Sequence, residues 1–108
     1  MQKLKTKIWV SALLKRVEIG GSFSAILKKG DADAGVCLIK VCDHEGNCTL
    51  YKQIRNIMGE IAWLPKGPLK ECVIDEDLEK RVRQDPDLWV VEIIDKKRYH
   101  YLTEPIEK

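Results

Sequence analysis

The stretch Val36–Cys42, VCLIKVC, places the strongest constraint on what this chain can fold into. In extended form it turns apolar side chains to nearly both sides. It has no solvent face to offer, so it belongs inside a sheet rather than at an edge. The segments around it read as its partners. Residues 22–29, SFSAILKK, alternate Phe23, Ala25 and Leu27 with Ser24 and Ile26, which is a strand pattern. Residues 48–54, CTLYKQI, follow the turn DHEGN at 43–47, where Gly46-Asn47 supply positive φ. Three successive strands with short connections predict an antiparallel meander.

Helices are expected on either side of it. Over residues 7–18, Trp9, Ala12, Leu13, Arg16 and Val17 recur at helical spacing, with Thr6 as N-cap. Gly20-Gly21 ends that helix. EIAWL at 60–64 reads as a short strand or edge segment, and PKGP at 65–68 as a chain break. A second helix is expected over about 75–84, capped near Asp75, with Ile74, Leu78 and Val82 as a narrow apolar stripe. Asp85-Pro86-Asp87 ends it. LWVVEII at 88–94 is a buried strand, DKK a turn, and RYHYL at 98–102 a last strand. The predicted fold is a single α+β domain over residues 1–108: an antiparallel sheet of about five to six strands with two helices packed on it. A chain of 108 residues suffices for one core, burying about 65% of its extended surface.

Composition narrows the function classes. The formal charge is +2, small for a protein that grips nucleic acid. It is unevenly spread: residues 1–16 carry five bases and no acid, whereas residues 71–87 carry seven acids against three bases. The apolar run Ile8–Leu14 contains Ser11 and is closed at once by Lys15 and Arg16, so the start does not read as a signal peptide. No apolar run approaches the ~20 residues that span a bilayer. A cytoplasmic protein without membrane attachment is expected, with Cys37, Cys42, Cys48 and Cys72 as free, buried thiols.

The motifs carry little chemistry. Phosphate loops place glycines before a helix N-terminus, but Gly20-Gly21 follow a helix and read as a C-cap. Asp31 and Asp33 invite a metal or acid–base role, yet aspartates flanked by Gly30 and Gly35 are what a turn requires. Cys42, His44 and Cys48, with Cys72, hold zinc-type ligands, but C-x-H-x3-C lacks paired knuckles. No metal and no cofactor are expected. Neither His44 nor His100 is placed beside a thiol as a base. KKRYHY at 96–101 interleaves cations with aromatics, a composition suited to nucleic acid, against which the small net charge argues.

Three blocks, WVSA at 9–12, KGDADAG at 29–35 and DPDLWVVE at 85–92, make the chain resemble a family of small alphaproteobacterial proteins of unknown function. The resemblance spans Lys5 to about Leu102. It implies a bacterial, cytoplasmic setting and no activity, cofactor or catalytic residue.

The reading these features support is a non-enzymatic binding or interaction module. Its site is expected in two turn-rich segments, through Gly30, Asp31, Asp33, Gly35, Asp85, Asp87 and Trp89. The alternative is a small metal-assisted hydrolase using Asp31 or Asp33. A weaker one is nucleic-acid binding through Lys96–Tyr101. The expected partner is an unidentified protein. Edge strands near Ile61–Leu64 and Arg98–Leu102 could also pair two copies into a homodimer.

Overall fold

The computed structural model describes residues 5–107. The elements run α1 (Thr6–Ile19), β1 (Phe23–Lys28), β2 (Cys37–Cys42), β3 (Asn47–Arg55), β4 (Ile61–Lys70), α2 (Glu71–Gln84) and β5 (Trp89–Ile94). The five strands form one sheet in the order β1-β5-β2-β3-β4. As its pattern requires, β2 is central, and every one of its residues is buried.

The α+β class, the two helices and the strand count agree with the sequence reading. The meander does not. β5 lies between β1 and β2, antiparallel to β1 but parallel to β2, so the sheet is mixed. The cause is the position of α2 in the chain. A helix between β4 and β5 returns the chain in the direction of β2, and parallel neighbours need such a crossover. The connection between β1 and β2 must then pass over the start of β5.

Strand alternation divides the apolar residues into two layers. On one face Val10, Leu13 and Val17 of α1 pack on Ile39, Val41, Trp63, Val91 and Ile93. On the other, Ile74 and Leu78 of α2 pack on Leu38, Leu50 and Val90. The stripe expected on α2 is therefore real, with Val82 at its margin. On α1 the buried stripe is Val10, Leu13 and Val17, Trp9 is partly buried, and Ala12 faces solvent.

Several local expectations fail for identifiable reasons. PKGP does not break the chain. β4 continues through it as an outer strand, where prolines remove no ladder bond that the sheet needs. α2 begins at Glu71, and Asp75 sits one turn inside it rather than at its cap. Thr6 is not an N-cap; its hydroxyl donates to the Gly35 carbonyl. Cys42 and Cys48, directly opposed across β2 and β3, form a disulfide instead of two free thiols. Cys37 is a buried free thiol, but Cys72 is exposed.

RYHYL forms no strand. The Asp95 carboxylate accepts from the Lys97 and Tyr99 amides, and His100 Nδ1 accepts from the Leu102 amide. Arg98 and Tyr101 take positive φ. Side-chain acceptors have replaced a β ladder here.

The segment beyond this turn is fastened to the α1 face by a carboxylate. Glu104 accepts from the indole N–H of Trp9 at 2.9 Å and of Trp63 at 3.0 Å. Partial burial pushes its pKa up, but the two indole bonds outweigh burial and hold it below the usual glutamate value. A folded-state pKa below the unfolded one gives stability that is present above the ordinary glutamate range. That stability is lost as pH falls through the depressed value. Glu104→Gln should cost roughly 1 to 2 kcal/mol at neutral pH. Urea unfolding followed by tryptophan fluorescence should show the gap to wild type closing in acid.

Candidate docking site

The two turn-rich segments do meet. The Asp31 amide donates to the Asp87 carbonyl at 3.0 Å, and the Trp89 indole donates to the Asp31 carbonyl at 2.7 Å. The Asp31 carboxylate accepts from the Ala34 amide at 2.8 Å. Gly30 and Gly35 are required by this crossing. A Cβ on either would collide with the Asp87 carbonyl oxygen. The Ala32 and Asp33 carbonyls accept from the Lys7 and Thr6 amides. GDADAG thus supplies the N-cap that α1 lacks among its own side chains.

Most polar groups of this junction are consumed by its own turns and caps. Asp85 Oδ1 accepts from the Asp87 amide. The Asp33 carboxylate is exposed, 3.8 Å from the Lys5 ammonium. A shallow depression of about 480 Å³ opens beside it, lined by Lys5, Lys7, Ile8, Ser11, Ala32 and Asp33.

The other candidate groups are dispersed. Cys42 and Cys48 are joined, with Glu71 beside them, and among the described residues His44 and Cys72 do not complete that group. Burial, and the Glu104 charge after it, push the Cys37 thiol up to about 12, which leaves it inert as a nucleophile. In the KKRYHY segment His100 meets Tyr51 edge-on and stacks on Tyr99, while Arg98 pairs with Asp43. Burial holds the His100 pKa below the usual histidine value.

The feature the motif reading missed is Lys40. It sits in the middle of β2, facing α2, and is only 3% exposed. Its ammonium meets Glu71 at 2.6 Å, Asp75 at 2.8 Å and Glu92 at 3.3 Å. Burial pushes its pKa down, but the bonds to Asp75 and Glu71 prevail and hold it above the usual lysine value. The signal was present in the sequence: a single cation inside an otherwise apolar strand must find a partner once buried. Three carboxylates around one ammonium leave a negative surplus on the α2 side of the sheet.

Beside that cluster the face is incompletely covered. α2 is held over β4 by Asp77, which binds both Lys66 and Arg81. It does not reach β1. A groove of about 460 Å³ remains between them, with Leu27, Leu78, Val82 and Val90 as its apolar lining, Asp75 and Glu79 on the α2 side and Lys28 on the β1 side. Phe23 is 57% and Leu27 51% exposed.

β1 also presents an open edge. Among the described residues it pairs only with β5. The opposite edge is covered near Trp63, whose amide donates to the Pro105 carbonyl and whose carbonyl accepts from the Glu107 amide. Strand pairing between copies at Ile61–Leu64 would have to displace this segment, and Arg98–Leu102 offers no strand.

Residues 4–103 match the model of a family described as "Protein of unknown function (DUF1491)". A crystal structure of a DUF1491 family protein from Caulobacter crescentus CB15 superposes with a TM-score of 0.92 at 44% identity. The match covers 97% of this chain and 100% of that one. An NMR structure of a DUF1491 family protein from the same organism gives 0.89 at 42% identity, covering both chains completely. The solution structure of a protein from A. tumefaciens gives 0.83 at 29% identity, over 99% of this chain and 98% of that one. No curated protein matches. Both organisms are alphaproteobacteria, as the sequence resemblance implies.

Three substitutions test this geometry. Gly30→Ala should lose more than about 2 kcal/mol because backbone must move to admit a Cβ. Asp33→Asn should stay within about 0.5 kcal/mol of wild type in the same urea titration. Lys40→Met should cost roughly 2 to 4 kcal/mol, since two of the three abandoned carboxylates are half exposed and solvent relieves part of the penalty. The Lys40 contribution persists through neutral pH and disappears only as pH rises through its raised folded value. Thermal unfolding of wild type and Lys40→Met across alkaline pH should therefore converge.

Proposed function

The chain belongs to the DUF1491 family, and from that premise we propose that it is a non-enzymatic interaction module that docks an extended basic–apolar segment of a partner protein along β1. One observation carries the reading. The unpaired edge of β1 lies beside an apolar floor, Leu27 and Val90, that faces the acidic residues Asp75 and Glu79 of α2. An added strand takes backbone hydrogen bonds from the edge, and its alternate side chains point toward the helix. Apolar residues there cover Phe23 and Leu27, and lysine or arginine meets Asp75 and Glu79. The turn-rich junction supports this surface from one end. Lys28 of β1 donates to the Leu88 carbonyl next to it at 3.1 Å.

A cytoplasmic setting belongs to this proposal. In a reducing compartment Cys72 would stay a free thiol, and the Cys42–Cys48 disulfide would be held open as a dithiol.

The test is fluorescence anisotropy with a labelled peptide of alternating lysine and valine, and with the same peptide N-methylated at alternate residues. Wild type should bind the first peptide and lose it on N-methylation. Glu79→Lys should weaken binding about tenfold with folding intact, and added salt should do the same. Indifference to N-methylation and to Glu79→Lys would sink the proposal. A strand-paired dimer that dissociates on dilution would instead assign the edge to a second copy. Salt-sensitive capture of a single-stranded oligonucleotide would favour the Lys96–Tyr101 segment. Phosphate- or amide-bond hydrolysis abolished by Asp31→Asn with Asp33→Asn would favour the enzymatic alternative.

A further inference from the structure

We propose that the dithiol form of Cys42 and Cys48, together with Glu71, is a binding site for a thiophilic divalent cation of the zinc class, and that the disulfide form closes it. The two sulfurs and a Glu71 carboxylate oxygen lie within 4.8 Å of one another. Two thiolates and one carboxylate are a ligand set suited to zinc, which also accepts a water as fourth ligand.

The fold brings these groups together through three separate constraints. The DHEGN turn sets Cys42 opposite Cys48. Strand alternation turns both toward α2, where they join Leu38 and Leu50 in the core. The Glu71 amide donates to the Gly46 carbonyl at 3.0 Å, which pins the first turn of α2 over the same hairpin.

Access and charge also fit. The cysteines are buried, whereas the Glu71 side chain is 48% exposed, so the carboxylate forms the solvent side of the site. Glu71 is shared with Lys40, but that ammonium keeps Asp75 and Glu92 when Glu71 turns to a metal. Without a cation the two sulfurs stay protonated as thiols, and Glu71 stays paired with the Lys40 ammonium. A divalent cation displaces the two thiol protons, and a disulfide leaves no sulfur able to ligate it.

The chemistry balances. A small dithiol reductant passes two electrons and two protons to the S–S bond and itself closes to a cyclic disulfide, leaving two thiols on the protein. The cation then binds both sulfurs and the carboxylate, and the two thiol protons leave to solvent. Oxidation of the metal-free dithiol by a disulfide of the glutathione class reverses the first step. The site therefore reports the thiol–disulfide balance around it. This inference is independent of strand docking at β1.

The experiment is a cobalt(II) titration of the full chain under anaerobic conditions, in reduced and oxidised forms, followed by sulfur-to-cobalt charge-transfer absorption and zinc competition. The reduced protein should take up one cobalt with that absorption, and zinc should displace it. The disulfide form should take up none. Cys42→Ser with Cys48→Ser should lose the signal while circular dichroism stays native. Glu71→Gln should keep both sulfurs and weaken binding roughly tenfold. Cobalt uptake equal in reduced and oxidised protein, or unchanged in the double serine variant, overturns the proposal. So does a reduced protein that binds neither cobalt nor zinc. If the double serine variant fails to fold, the comparison of reduced with oxidised wild type decides alone.

Discussion

A single buried ammonium organises the α2 side of this protein. Lys40 lies at the centre of the sheet, on its middle strand, and its three carboxylate partners come from α2 and β5. Hydrophobic contact alone would let a helix slide or rotate on a sheet, because it is non-directional. An ammonium bonded at fixed distances to Glu71 and Asp75 permits only one axial position for α2, and Glu92 ties the neighbouring strand to the same point. Asp77, bound to Lys66, fixes the helix a second time toward β4. The uncovered strip over β1 is a consequence of where these charges hold the helix.

At the β1–β2 crossing, by contrast, backbone rather than charge does the organising. Where β1 crosses to β2, the chain passes so close to Asp87 that side chains are excluded at Gly30 and Gly35. The carbonyls of the same loop serve the start of α1. A segment whose composition suggests ligand chemistry is occupied with joining three parts of the fold. Its aspartates illustrate the difference between a polar loop and a binding loop. Both are exposed, but Asp31 accepts from the Ala34 amide within its own turn, whereas Asp33 only approaches the Lys5 ammonium.

Much of this was readable in the sequence, and the failures share a cause. Periodicity placed both helices, the central character of VCLIKVC and the stripe of Ile74, Leu78 and Val82, because those depend on neighbouring residues alone. It did not place β5 between β1 and β2, since local alternation carries no information about which strand is adjacent. It made RYHYL a strand, because Asp95 and His100 compete with a ladder only once the turn exists. The Cys42–Cys48 bond needed the hairpin register, although the turn that sets it had been recognised. The Gly30–Gly35 and Asp85–Trp89 segments, expected from composition to contribute to one site, lie against each other through the Asp31–Asp87 and Trp89–Asp31 bonds. The groove beside β1 was not legible in the sequence, because it is defined by where a helix stops rather than by any motif.

The placement of β5 also orders events in time. Among the described residues β1 has one sheet partner, β5, and β5 leaves a ribosome after the other four strands. The β2–β3 and β3–β4 pairs are hairpins between consecutive strands and can close as soon as they are made, with little loop entropy against them. β1 is synthesised before all of them, and its sheet partner among the described residues emerges only after β4 and α2. During synthesis it is an unclaimed strand carrying Phe23 and Leu27. The long-range closure between Phe23–Lys28 and Trp89–Ile94 is thus the step most exposed to mispairing, and the one that commits the sheet to its final order.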